Sequence, residues 1–169
     1  MHWLFPDPEH RPAAAAAWLG LYLEQVQAGG GPVDVAGDPP VGLAVWRAGA
    51  PAAAAPSLPT LGGLLAALIG TARAREVGGA LAGLGALRPA GPHAYLQFLA
   101  VDPEAQGRGH GRELLQRGLA RVTGGVAVAL ETTNPANLPF YAAAGFGVRQ
   151  ELTLAAGGPT VWALQRDPS

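Results

Sequence analysis

The chain has 169 residues, about half of them apolar, which is enough for one domain that buries roughly 70% of its unfolded surface. A formal net charge of −1 without any basic run argues against nucleic acid as a partner. The absence of cysteine excludes disulfides, thiolate metal sites and a cysteine nucleophile. No two of the four histidines have ligand spacing, so we expect no metal site.

The first third of the sequence predicts an apolar anchor, a helix and a hairpin. Residues 3–5 (Trp-Leu-Phe) are the anchor, and in residues 13–27 the apolar side chains recur on one helical face. An acidic stretch rather than a basic one precedes this helix, so we interpret it as a core helix and not as a signal peptide. No apolar run is long enough to cross a membrane, and a cytoplasmic protein is the expectation. Residues 33–36 and 41–47, separated by a Gly-Asp-Pro-Pro turn, predict the hairpin.

The middle of the chain predicts a loop and two helices. Residues 48–56 are rich in Pro and Ala, which is typical of a loop. Leu61, Leu64, Leu65, Leu68 and Ile69 form one apolar helical stripe. Val77, Leu81 and Leu84 form a second stripe, which several glycines weaken and Pro89 ends.

The second half predicts strand, helix, strand, short helix and two final strands. Residues 93–101 are apolar on both faces, as in a covered strand. A helix over 109–122 and a strand over 125–132 follow, and this succession implies a parallel crossover. A short helix then runs from Asn134 to Gly145, before strands over 146–154 and 160–166. We find no internal repeat and no linker, and predict a single domain over 1–169.

The turn between the strand at 93–101 and the following helix carries the clearest chemical signal. It contains three glycines (Gly107, Gly109 and Gly111) and two arginines (Arg108 and Arg112). Glycine permits positive φ and close approach of the backbone to a ligand. A helix N-terminus presents unpaired amides and a partial positive charge. Together these features predict a pyrophosphate site.

Three phosphate-binding patterns compete for this turn. A P-loop is excluded because the sequence lacks its Lys-Ser/Thr pair. A dinucleotide fingerprint needs a third glycine where Arg112 stands, although an acidic residue, Glu131, does lie about 20 residues on. The pattern Gln/Arg-x-x-Gly-x-Gly/Ala is met at Gln106, Gly109 and Gly111.

With that third pattern the chain resembles the GNAT superfamily of acetyl-CoA-dependent N-acetyltransferases. The resemblance extends to Asn134-x-x-Asn137-x-x-x-Tyr141-x-x-x-Gly145-Phe146. Within the superfamily, the stretches VDPEAQGRG, LETTNPANLPFYAAAGF and PTVWALQR are most similar to puromycin-type N-acetyltransferases. The fold implied is α/β (α+β): a mixed, mostly antiparallel sheet, a central parallel pair splayed at the cofactor site, and helices on both faces.

The resemblance also implies roles for individual residues. Tyr141 matches the general acid that faces the sulfur of coenzyme A, and Glu131 is the first candidate for the base. The expected contacts to acetyl-CoA are the backbone of Leu99, Ala100 and Val101 along the pantetheine arm, the amides of Gly107, Arg108, Gly109, His110, Gly111 and Arg112 around the pyrophosphate, and either Asn134 or Asn137. Tyr95 and Gln97 share the strand face toward the acceptor, where Tyr95 replaces a glutamate base of some relatives.

The expected function is acetyl transfer to the primary amine of a small molecule. A non-catalytic acyl-CoA-binding module or partner subunit is the alternative, and a dinucleotide-binding domain is a third possibility. The resemblance also implies a first strand and helix, which the superfamily has before the segment that Met1 matches. Either the true start lies upstream of Met1, or a partner chain supplies these elements, or the domain works without them. The strand at 33–36 would then have an open edge, which favours pairing with another chain, so a homodimer is a further expectation.

Overall fold

The computed structural model describes residues 1–48, 59–122, 124–155 and 157–168, and within them six strands form one sheet. The strands are β1 (Val33–Ala36), β2 (Gly42–Ala48), β3 (His93–Val101), β4 (Ala127–Thr132), β5 (Gly147–Thr153) and β6 (Thr160–Arg166). Their order across the sheet is β1-β2-β3-β4-β6-β5. Every described neighbouring pair is antiparallel except β3 and β4, which are parallel. This confirms the predicted crossover, because parallel neighbours need a connection that returns over the sheet.

The helices are α1 (Arg11–Ala28), α2 (Leu61–Ile69), α3 (Thr71–Gly83), α4 (His110–Arg121) and α5 (Leu138–Ala142), with 3₁₀ turns at Leu84–Leu87, Pro103–Ala105 and Pro135–Asn137. Helix α1 begins at Arg11, between Pro8, which is a plausible start from the sequence, and Ala13, where the predicted apolar face begins. Pro12 lies in its first turn, where a proline is tolerated. The loop predicted over 48–56 lies, beyond Ala48, outside the described residues. Among the described helices, none has both the length and the hydropathy to span a bilayer.

Helices cover both faces of the sheet. On one face, α4 and α5 pack against the strands around Leu114, Leu130 and Tyr141. On the other face, Tyr22 of α1 contacts the ring of Phe98 in β3, with 5.0 Å between ring centroids. A second core joins α1 to α2 and α3, and it includes the anchor residue Phe5, which is 2% exposed. The predicted mixed fold with a parallel pair is therefore confirmed.

Strands β3 and β4 separate soon after they meet. Their pairing covers His93 to Tyr95 of β3, and Tyr95 is level with Ala129. Both strands continue beyond this point, to Val101 and Thr132. A bulge in β3 accompanies the separation: Val45 and Trp46 of β2 are opposite Phe98 and Leu96, which leaves Gln97 as the extra residue. Bulges bend a strand and increase its twist, so the two strands open a gap in the middle of the sheet.

Strand β1 is at one edge of the sheet, as the sequence predicted for residues 33–36. Two arginines of α4 contact this strand: Arg117 donates to the carbonyl of Val35 at 3.2 Å, and Arg121 forms an ion pair with Asp34. The Arg117 contact occupies a backbone carbonyl of the kind that an edge strand presents to a partner, whereas Arg121 is bound to the side chain of Asp34. Pairing of this edge with a second chain remains a prediction.

We predict that the α4 core contributes a large share of the stability. Leu114 is fully buried, so Leu114→Ala removes packed methyl groups and leaves a cavity. The free energy of unfolding should fall by about 2–5 kcal/mol in urea titrations. Gln116→Ala, on the exposed face of the same helix, is the control and should change stability by less than about 0.5 kcal/mol. Equal losses in both variants would contradict this packing.

Candidate functional site

The turn between β3 and α4 folds as its glycines predict. Gly107 and Gly109 have φ angles of +75° and +92°, in the left-handed region that side chains with a Cβ rarely adopt. The side-chain amide of Gln106 donates to the carbonyl of Val101 at 3.0 Å and ties the turn to the end of β3. Gly111 has an ordinary backbone conformation, and the atoms nearest to a Cβ there would be those of Val101 and Phe140, at ordinary van der Waals distances of 3.7 to 3.9 Å.

The backbone amides of this turn are free to bind an anion. Gly109 is the N-cap of α4, and no side chain caps the helix there. In the described part of the chain, Glu113 is the first residue after Gln106 whose amide donates to another backbone group. Neither Arg108 nor Arg112 forms an ion pair with a described residue. Unpaired amides at a helix N-terminus, flanked by two cations, are an arrangement that binds phosphate groups.

A cavity of about 660 Å³ opens over this turn. It is lined by Leu99, Val101, residues 105–112, Asn137, Phe140 and Tyr141. The volume lies in the range of sites that hold small molecules and cofactors. The cavity therefore joins three parts of the predicted site: the end of β3, the glycine turn and the helix that carries Tyr141.

Tyr141 lies on α5 and is almost buried, with 7% of its surface exposed. Its ring makes edge-on contacts with Phe140 and Phe146, at centroid distances of 5.1 and 5.9 Å. Burial raises the pKa of its hydroxyl above the ordinary value, because the phenolate would lose its hydration. The residue is thus held as a neutral phenol at the cavity wall, able to donate a proton.

The two asparagines considered for the cofactor occupy different environments. Asn137 lines the cavity, and its side-chain amide donates to the hydroxyl of Thr132 at 3.3 Å. Asn134 caps the 3₁₀ turn that precedes α5: its side-chain oxygen accepts from the amide of Ala136 at 3.1 Å. The geometry favours Asn137 for the ligand contact and gives Asn134 the capping role that its position also predicted.

Glu131 lies on the face of the sheet opposite α4. It accepts a hydrogen bond from the hydroxyl of Tyr95, and its other oxygen is 3.4 Å from Nε of Arg88. The Arg88 guanidinium stacks over the Tyr95 ring, 3.8 Å from its centroid. Burial is the main cause that raises the pKa of the Tyr95 hydroxyl, and the negative charge of Glu131 is the second. This group therefore also stays protonated.

The sequence patterns did not identify the two arginines of this face, Arg88 and Arg47, as candidate site residues. Arg88 is 43 positions from Glu131 along the chain, and Arg47 is 50 positions from its partner Gln97. No local pattern marks either residue. Only the register of β2 against β3, which pairs Arg47 with Tyr95, would have placed Arg47 beside the predicted acceptor face.

We predict that the left-handed turn is needed for both stability and ligand binding. Gly109→Ala forces a Cβ into a φ of +92°, which should destabilise the fold by about 1–2 kcal/mol and weaken coenzyme A binding by disturbing the amides. Urea unfolding and calorimetric titration measure the two effects. The comparison variant is Gly111→Ala, whose backbone conformation accepts a side chain and whose Cβ has room. A loss of stability in Gly111→Ala as large as that in Gly109→Ala would contradict the assignment of strain to position 109.

Comparison with known proteins agrees with the geometry of the turn and cavity. Residues 60–146 match the model of the Acetyltransferase (GNAT) family. Among solved structures, the chain is similar to a Corynebacterium glutamicum protein described as histone acetyltransferase HPA2 and related acetyltransferase. That match has 28% identity and a TM-score of 0.70, over 98% of this chain and 80% of the other.

Two further solved structures are more distantly similar. One is a mosquito arylalkylamine N-acetyltransferase-like protein, at 16% identity and a TM-score of 0.50, over 80% of this chain and 74% of the other. The other is Arabidopsis thaliana Naa50 in complex with a CoA-peptide bisubstrate analogue, at 14% identity and a TM-score of 0.47, over 76% of this chain and 66% of the other. The family match covers half of the chain and includes the glycine turn and Tyr141, so the protein belongs to the GNAT acetyltransferase family and uses acetyl-CoA as its acyl donor.

Proposed function

We propose that the protein is an N-acetyltransferase that moves the acetyl group directly from acetyl-CoA to the primary amine of a small molecule. The observation that carries this proposal is that Tyr141 lines the same cavity as the unpaired amides of residues 107–112. An anion site and a proton donor in one cavity suit a donor that has a diphosphate at one end and a thioester at the other. The stretch 130–146 further supports our placement of the chain near the puromycin-type acetyltransferases.

Binding at the turn positions the donor for reaction. Acetyl-CoA supplies a thioester, whose carbonyl carbon forms a bond to the amine nitrogen while its bond to sulfur breaks. The backbone of β3 beyond Tyr95 has no partner in β4, so one edge of residues 99–101 is free to hold the pantetheine arm like an added strand. An amide of this segment would donate to the charge that develops on the thioester oxygen, worth about 2.7–4 kcal/mol. Positioning itself contributes about 7–11 kcal/mol.

Two side chains would handle the protons. Tyr141 donates its proton to the departing thiolate and regains one from solvent. Glu131 is the candidate base that takes a proton from the acceptor nitrogen. It lies two residues beyond the last paired position of β4, at the start of the gap. Tyr95 and Arg88 already engage both of its oxygens, so Glu131 would take the proton at a lone pair that these contacts leave free, directly or through a bound water.

We predict that Tyr141→Phe separates chemistry from binding. The substitution keeps the ring contacts with Phe140 and Phe146 but removes the acid, so kcat should fall by about 10²–10⁴-fold while the Kd of acetyl-CoA stays within about threefold. Release of coenzyme A with an amine panel and calorimetric titration measure the two quantities. An unchanged kcat would remove Tyr141 from the mechanism. If wild-type protein binds acetyl-CoA but acetylates no amine in the panel, the protein is a binding module instead.

We also predict that Glu131→Gln alters the pH dependence of the reaction. Loss of the base should lower kcat/KM by about 10²-fold or more at neutral pH and move the rising limb of the profile to higher pH, because the amine must then deprotonate unaided. The pH profile of kcat/KM is the readout that a structural role would not move. Glu24→Gln, at an exposed position of α1, is the control. Parallel profiles for wild type and Glu131→Gln would exclude Glu131 as the base.

A further inference from the structure

A polar network lies on the sheet face opposite α4, across strands β2, β3 and β4. Arg47 of β2 is directly opposite Tyr95 of β3, and Tyr95 donates to Glu131 of β4. Tyr22 joins the network from α1, since its hydroxyl accepts from Arg47 at 2.8 Å. Arg47, Tyr95 and Glu131 therefore form a row with a cation at one end and a carboxylate at the other.

The two arginines of this network are paired differently. Arg88 has an anionic partner, Glu131. Arg47 donates only to neutral oxygens, the Tyr22 hydroxyl and Oε1 of Gln97 at 3.4 Å, and it forms no ion pair within the described residues. Arg47 is nevertheless partly buried. A partly buried guanidinium without a counterion has lost part of its hydration, so an anion from outside the chain would stabilise it.

The position of Arg47 relative to the gap indicates which molecule would bring that anion. Its contact Gln97 is the bulge residue where β3 leaves β4. Two residues further on, Leu99 lines the cavity on the α4 face. An acceptor that meets the acetyl group through the gap from the α1 face would therefore have Arg47 beside it. Glu131 is two strands away, about 10 Å across the sheet, on the opposite side of the gap.

We propose that the acetyl acceptor is an amine that also carries an anionic group, a carboxylate or a phosphate-type group, and that Arg47 binds this group. This inference rests on the proposed acetyltransferase function. Arginine presents a planar fork of donors that matches both kinds of anion. Tyr22 and Gln97 hold the guanidinium in place. Glu131 at the far end of the row already has Arg88 as its counterion, so the uncompensated charge on this face is that of Arg47, and it selects the anionic group of the acceptor.

Matched acceptors test the charge requirement. The probes are a panel of L-amino acids, the corresponding amino acid amides, and aminoalkylphosphonates, each assayed by release of coenzyme A. For the best side chain, kcat/KM with an anionic acceptor should exceed that with the amide by about 10- to 100-fold, as expected for hydrogen bonds to a charged group. The carboxylate and phosphonate arms identify which anion is preferred. Equal rates with anionic and amide acceptors would overturn the proposal.

Variants of Arg47 test the assignment to that side chain. Arg47→Met should bring the ratio of anionic to amide kcat/KM close to one, and Arg47→Lys should restore part of it. Arg75→Met, the same substitution at an exposed arginine of α3, should leave the ratio unchanged. Tyr22→Phe keeps the ring but removes the hydroxyl that holds the Arg47 guanidinium, so it should lower the ratio by a smaller factor. This variant is the substitute test if Arg47→Met does not fold. If the Arg47 variants fold and keep the wild-type ratio of anionic to amide kcat/KM, the assignment is overturned. If the Arg47 variants do not fold, a wild-type ratio in Tyr22→Phe overturns it.

A binding measurement separates this inference from the acetyltransferase function. The same probes are titrated calorimetrically into the protein saturated with coenzyme A. In one outcome, anionic amines bind, Arg47→Met weakens their binding about 10-fold or more, and no probe is turned over. This outcome supports the anion site and contradicts the proposed reaction. Turnover of amines that is indifferent to their anionic group supports the reaction and contradicts the site. Absence of both binding and turnover contradicts both.

Discussion

The central constraint of this structure is the set of backbone amides at the start of α4 that have no partner within the described chain. Positive φ angles at Gly107 and Gly109 turn the chain so that these amides open into a cavity. Arg108 and Arg112 add charge without being neutralised by a described carboxylate. Such a site is open to water when empty and offers its amides and cations to a diphosphate, which links the local backbone geometry to the choice of acyl donor.

The second constraint is the separation of β3 and β4, which gives the sheet two chemically different faces at one gap. The α4 face holds the cavity and the buried phenol of Tyr141. The α1 face holds the network of Arg47, Tyr95 and Glu131. An enzyme that joins two substrates needs a separate approach for each, and the gap provides a place for them to meet. The bulge at Gln97 is important because it both opens the gap and places a side chain in contact with Arg47.

Much of this architecture was predictable because its signals are local. The strand at 93–101 was predicted with the bounds it has, since its apolar run is ended by proline turns. The glycine turn was predicted because glycine is the residue that tolerates positive φ. Helix ends were harder to predict: the apolar face begins at Ala13, but α1 begins two residues earlier, with Pro12 in its first turn.

The face beside the gap was harder to predict because it is assembled from distant residues. Glu131 was identified by its position at the end of a strand, but its contacts with Tyr95 and Arg88 depend on the sheet register and on the end of the 3₁₀ turn after α3. Asn134 and Asn137 lie seven and four residues before Tyr141, and both spacings would bring them to the same helical face. Only the folded structure shows that Asn137 lines the cavity and that Asn134 is a cap. Helical periodicity alone cannot separate the two roles, because the distinction depends on which face of a short turn meets the cavity.

An NMR titration of the ¹⁵N-labelled protein with coenzyme A would show which amides bind the diphosphate. We expect the largest changes in amide shift at residues 107–112, smaller changes at 99–101 and none on the distant edge strand β5. Inorganic pyrophosphate alone should reproduce the changes at 107–112 but not those at 99–101. If coenzyme A binds and leaves the amides of 107–112 unshifted, the diphosphate is not held by this turn.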